Sequence, residues 1–179
     1  MAIVVSQKGD EAERLCRILR GDDTVSGECL VNHISSRSDR AEYVKLVECL
    51  DTKEMQSQLS VRDYLFFYAM VSGCYKVETD DTIRHFFRMA KQEEILQQKI
   101  DALDQEKKIM VRFLVAYLKG VRVFIGNRLL ETLETEGAIK KVLEFMQHFA
   151  TMYGIQCIML EEKWNSFNWK TLELKEYRF

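Results

Sequence analysis

Carboxylates and thiols are the side chains in this sequence whose types and spacing could do chemistry. Asp and Glu make up 28 of 179 residues, so adjacent acids arise readily by chance. Glu11/Glu13 and Glu161-Glu162 are the pairs that stand out. Such a pair does general acid–base work when its two environments push the pKa values apart. No neighbouring residue gives either pair a reason to split, so both are read as solvated surface. The cysteines stand at 16, 29, 49, 74 and 157, an odd count without a CxxC pair. Zinc needs ligands clustered at short spacing, and a secreted disulfide framework has an even count as a rule. Reduced, mostly buried thiols are therefore expected. His33, His85 and His148 are equally scattered and are read as structural. GxSxG, HExxH and Cys/His constellations are missing. The residues alone thus predict no catalytic site, no metal and no cofactor.

These side chains need a folded domain to carry them, and the composition supplies one. Apolar residues are 47% and charged residues 30% of the chain, enough to bury a core and stay soluble. A length of 179 residues suits one domain. The net charge of −2 leaves no footprint for nucleic acid or an anionic membrane surface. The N-terminal run has no basic flank. The longest apolar stretch, 109–118, is broken by Arg112 and is far short of the ~20 residues a membrane helix needs. The expectation is a cytoplasmic protein without direct membrane insertion. Proline is absent, so Gly, Asn, Asp and Ser must make the turns, as in Arg20-Gly21-Asp22-Asp23 and Gly126-Asn127.

Apolar patterning then sets the elements. The β-branched run 2–5 predicts a buried strand, and the helix after it turns Ala12, Leu15, Cys16, Ile18 and Leu19 inward and closes at Gly21. Segments 28–31 and 43–47 read as strands. Ser60 with Asp63 opens a helix over 61–71 that is apolar almost all round, which means burial or a partner. Further helices are predicted over 79–100 and 106–118, then a strand over 121–125. Ile139, Val142, Leu143, Met146, Phe149 and Ala150 follow helical spacing, 155–160 returns as a strand, and 169–179 suggests a terminal hairpin. Strands alternating with helices predict an α/β fold with a mostly parallel sheet. One domain spans 1–179, with a helical insert at about 60–104.

In this order the phrases resemble the nucleotide-binding subunit of an ATP-binding-cassette (ABC) transporter. Ile3-Val4-Val5, the loop 6–12 and the helix through Gly21 are similar to that family's first strand, phosphate loop and first helix. Leu59-Ser60-Val61-Arg62-Asp63-Tyr64-Leu65 is similar to the phrase opening its helical subdomain. Leu103-Asp104-Gln105-Glu106-Lys107 aligns with the signature motif LSGGQ. Val123 to Asn127 aligns with the second carboxylate strand, and Glu131-Thr132-Leu133-Glu134 with the loop after it. Gly154-Ile155-Gln156-Cys157-Ile158-Met159-Leu160 is similar to the strand before the switch histidine. The resemblance covers nearly the whole chain and implies a P-loop-NTPase-like fold, a mostly parallel sheet flanked by helices with a small helical insert.

The resemblance also implies where phosphate chemistry would sit, and there the residues differ. Of the phosphate-loop glycines only Gly9 remains; Ala12 stands at the lysine and Glu13 at the first hydroxyl. Asp10, Glu11 and Glu13 place carboxylates where a triphosphate would lie, and as first-turn acids they suit the helix N-terminus instead. Asn127 and Arg128 occupy the magnesium-binding and general-base positions, Asp104-Gln105-Glu106 the signature loop, Glu162 the switch histidine and Glu48 roughly the lid glutamine. In this register the chain starts five residues before the loop, short of the family's antiparallel hairpin and adenine-stacking aromatic. The expectation is a pseudo-ATPase with degenerate Walker motifs, no bound cofactor and no hydrolysis. Its role would be protein–protein interaction with a membrane permease subunit, an active ABC ATPase or a second copy of itself. It would then be peripheral at the inner face of the membrane only through that partner. Glu48, Leu65, Phe66, Phe67 and Met70 are the expected docking residues. The alternative is a transporter subunit that retains weak ATP binding.

Overall fold

The computed structural model describes residues 2–6, 10–22, 24–50, 55, 57–73 and 78–161. Strand β1 is Ala2–Ser6 and helix α1 is Asp10–Leu19. The helix ends in a Schellman turn: Gly21 N–H donates to the Ile18 carbonyl and Asp22 N–H to that of Arg17, at 3.0 and 2.9 Å. Gly21 has φ +71, a conformation that favours glycine, and a Cβ on it would crowd the Tyr43 ring at 3.3 Å. Strands β2 (Leu30–Val31) and β3 (Ile34–Ser35) make a small antiparallel hairpin. Asn32 and His33 both have positive φ, which suits a two-residue turn of this hand.

Residues 43–47 differ from the sequence expectation. Helix α2 covers Arg40–Leu46, and the strand starts only at Val47, as β4, Val47–Leu50. The Asp39 carbonyl accepts from the amides of Glu42 and Tyr43 and so nucleates a helix. That helix turns Tyr43 inward, where it is 1% exposed and its hydroxyl donates to the Leu19 carbonyl at 2.7 Å. Tertiary packing of one aromatic outweighs a short β-like pattern.

Helix α3, Val61–Val71, begins as the sequence predicts. Ser60 Oγ accepts from Asp63 N–H at 3.1 Å and donates to the Asp63 carboxylate at 2.7 Å. Ser60→Ala is expected to cost about 1 kcal/mol, read as a lower urea midpoint with an unchanged slope. Helix α4 is shorter than the predicted 79–100. It spans Thr79–Met89, and Lys91 at φ +53 leads into 3-10 turns at Glu93–Gln97 and Ile100–Ala102. A continuous helix would turn Ile95 and Leu96 roughly 130° away from the face of Ile83, Phe86 and Phe87, with Ile100 at the edge of that face. All six are buried in one core, so the helix has to break.

Helix α5 (Gln105–Leu118), strand β5 (Val123–Asn127), helix α6 (Glu136–Tyr153) and strand β6 (Gln156–Glu161) complete the described chain. The hairpin expected at 169–179 lies outside the described residues. The sheet runs β1-β6-β5-β4, and each of its pairings is parallel. Alternation along β5 divides its two faces. Val123 and Ile125 join Cys16 and Leu160 under α1, while Phe124 stacks on Phe113 of α5 with ring centroids 3.7 Å apart. On that second face the insert shares the larger core with α5 and α6, with Phe86 edge-on to Phe145 and Phe149, each at 5.1 Å. This is the expected α/β architecture, a parallel sheet between helices with a helical insert.

Candidate functional site

Side chains from separate strands converge at the carboxyl edge of a parallel sheet, the usual place for a site in such folds. The register aligns Ser6 with Glu161, Asn127 with Leu160, and Leu50 with Gly126 along that edge. Helix α1 starts at Asp10, so Asp10, Glu11, Ala12 and Glu13 all fall in its first turn. Glu13 is exposed, and Gly9 lies outside the described residues. Acids in a first turn offset the positive end of the helix.

At the end of β5, alternation with Val123 and Ile125 puts Asn127 on the α1 face of the sheet. Its Oδ1 is buried and has no hydrogen-bond partner among the described residues. Arg128 follows with φ +54; its amide donates to the Leu160 carbonyl at 2.8 Å and its Nε to Glu131 at 3.1 Å. An amide holds a metal weakly, and a guanidinium does not act as a general base.

The third strand end overturns a sequence expectation. Glu161 is 2% exposed, not solvated surface. Its Oε1 accepts from Leu130 N–H at 3.0 Å, while Oε2 is buried with no partner among the described residues. Burial pushes the carboxyl up to about 7; the Leu130 amide pulls the other way and the Glu131 charge adds to the rise. Glu161 thereby ties the loop after β5 to the end of β6. The available signal was alternation within a strand covered on both faces: Glu161 continues the inward set Cys157 and Met159. Its neighbour Glu162 lies outside the described residues.

Where the signature-like phrase falls, Asp104 caps α5. Its carboxylate accepts from Lys107 N–H at 2.9 Å and pairs with Lys107 Nζ at 3.0 Å. A helix N-terminus is a ready anion site, and here the chain's own carboxylate fills it. Glu106 is 3.7 Å from Lys141.

The docking residues separate on α3. Leu65 is 0% exposed and belongs to the core with Val61 and Ala69, so it has no surface to offer a partner. Phe66 is half-buried, packed on that core with the Arg62 guanidinium 5.4 Å from its ring centre. Phe67, Met70 and Val71 are 51%, 65% and 68% exposed and form one stripe at i, i+3, i+4. Glu48 sits within β4, aligned with Phe124, and is held to Lys119 at 2.6 Å. Glu48 thus lies inside a strand and not in a lid loop. Tyr64 of α3 has its hydroxyl pushed up first by burial and then by Tyr68.

Among the described residues no group of three or more His, Cys, Asp or Glu side chains could hold a metal ion. No helix among them is long and apolar enough to cross a membrane. No family model matches the sequence, and no curated protein matches it. Solved structures do. The chain is similar to cbiO1 from Clostridium perfringens, part of the ABC transporter complex cbiONQ, with TM-score 0.72 and 12% identity over 90% of this chain. It spans 66% of that protein, a little under two thirds. It is similar also to an ATP-binding subunit of an ABC transporter, with TM-score 0.65 and 16% identity over 91% of this chain and 68% of the other. A Pyrococcus furiosus protein assigned as an ABC transporter ATP-binding protein matches with TM-score 0.68 and 17% identity, over 92% of this chain and 80% of the other. The chain has the fold of ABC transporter ATP-binding subunits.

Proposed function

We propose that this chain is a non-catalytic counterpart of an ABC transporter ATP-binding subunit and acts by binding another protein. The observation that carries the reading is the stripe Phe67, Met70 and Val71 on α3, exposed on a helix whose opposite face is already in the core. Aromatic and methionine side chains anchor protein interfaces. An amphipathic helix of a membrane permease subunit fits such a stripe, and would hold the chain at the inner face of the membrane.

The carboxyl edge supports the same reading from the chemical side. Magnesium nucleotide needs cationic and hydroxyl groups at the start of α1 and a carboxylate at the end of β5. Asp10, Glu11, Ala12 and Glu13 stand at the first place and Asn127 with Arg128 at the second, so the residues do not fit that ligand. Calorimetric titration with ATP and with ADP, each with and without magnesium, tests the reading. The expected outcome is no heat and no thermal shift at millimolar nucleotide. Micromolar binding would overturn it in favour of a subunit that still senses nucleotide.

A further inference from the structure

Cys16 on α1 and Cys49 on β4 lie far apart in sequence, yet their sulfurs are 3.0 Å apart. At that distance one thiol donates an S–H···S hydrogen bond to the other, and the sulfurs stand about 1 Å beyond the ~2.04 Å of a disulfide. The remaining described cysteines, Cys29 and Cys157, make no such approach to them. The pair sits in the smaller core, between Val123, Ile125 and Leu160 and the apolar side chains of α1 and β4. Cys16 is 3% exposed, whereas Cys49 is half-buried.

We propose that Cys16 and Cys49 are a dithiol site that a hydroperoxide converts to an intramolecular disulfide, fastening the helix after the first strand to the far strand of the sheet. Deprotonated Cys49 sulfur attacks the peroxide; the O–O bond breaks, leaving Cys49 sulfenic acid and, for hydrogen peroxide, hydroxide that takes up the thiol proton as water. Cys16 sulfur then attacks the Cys49 sulfur. The S–S bond forms, the S–O bond breaks, and the departing hydroxide leaves as water with the Cys16 proton. Two electrons pass from the two sulfurs to the peroxide, and two waters form. The link closes a loop of over thirty residues and restricts the unfolded chain. It joins α1 to β4 with no strand of the sheet pairing β1 and β4 directly.

The test treats the full reduced chain with stoichiometric hydrogen peroxide, then maps non-reduced peptides and titrates thiols in denaturant. The expected result is a peptide linking Cys16 to Cys49, three of the five cysteines still titratable, and a Tm raised by roughly 5–15 °C that dithiothreitol reverses. Cys49→Ala should abolish both the link and the rise. Cys29→Ala, shown to be folded by circular dichroism, is the control that should keep both the link and the rise. Five titratable thiols after treatment, or a link that joins Cys16 or Cys49 to another cysteine, would overturn the proposal.

Discussion

Glu161→Gln is expected to flatten the stability of this protein between pH 5 and pH 8. The folded carboxyl titrates at about 7 against an ordinary 4.5. Because the folded value is raised, the stabilisation is fully present below pH 4.5 and is lost as pH climbs through 7. At about 1.4 kcal/mol per unit the wild-type chain should lose about 2–3 kcal/mol over this window. Glutamine still accepts from Leu130 N–H, but its amide hydrogens find no partner where Oε2 had none, a cost of about 1 kcal/mol or more. The variant should therefore be somewhat less stable at pH 5 and more stable at pH 8, with the two curves crossing. Asp22 and Asp80 are pulled the other way by Thr24 and Arg84 respectively, and their transitions lie below the window. Urea unfolding at a series of pH values measures the effect. Parallel curves for the two proteins would show that Glu161 is charged at all these pH values and that burial is not what governs it.

Glu161 also shows where the sequence was under-read. Two adjacent acids look like surface when weighed by composition, since acids are common in this chain. Read as the last step of a strand covered on both faces, the first of them must turn inward with Cys157 and Met159. The elements themselves were mostly legible because their cues are local. Ser60 with Asp63 and Gly21 after α1 each mark a boundary through hydrogen bonds a few residues long. The failures needed distant partners. Tyr43 is helical because Leu19 and Gly21 wait for it across the fold, and α4 breaks because two apolar sets must reach one core. The contact between Cys16 and Cys49 had no sequence signal at all, since neither spacing nor composition encodes the approach of a helix to a strand.

Leu65→Asp and Phe67→Asp lie two residues apart on α3 and should have opposite consequences. Leu65 is 0% exposed, packed with Val61 and Ala69 over the core that α5 and α6 share. A carboxylate there has neither water nor a partner, and together with the lost packing should cost about 4 kcal/mol or more, enough to unfold much of the protein. Phe67 is 51% exposed and its clearest internal contact is the edge of Tyr68, with ring centres 5.4 Å apart. Removing that ring should cost about 0.5–1.5 kcal/mol, leaving the circular dichroism spectrum and the cooperative transition in place. Partner binding reverses the order of interest. If the stripe is an interface, Phe67→Asp and Met70→Asp should each weaken capture of a permease-derived helix at least tenfold, a charge at an apolar contact costing about 1.4 kcal/mol or more. Both variants folded and still binding would move the interface off α3. Both unfolded would make the stripe part of the core, because a side chain half in water cannot hold a domain together unless something in this chain covers it.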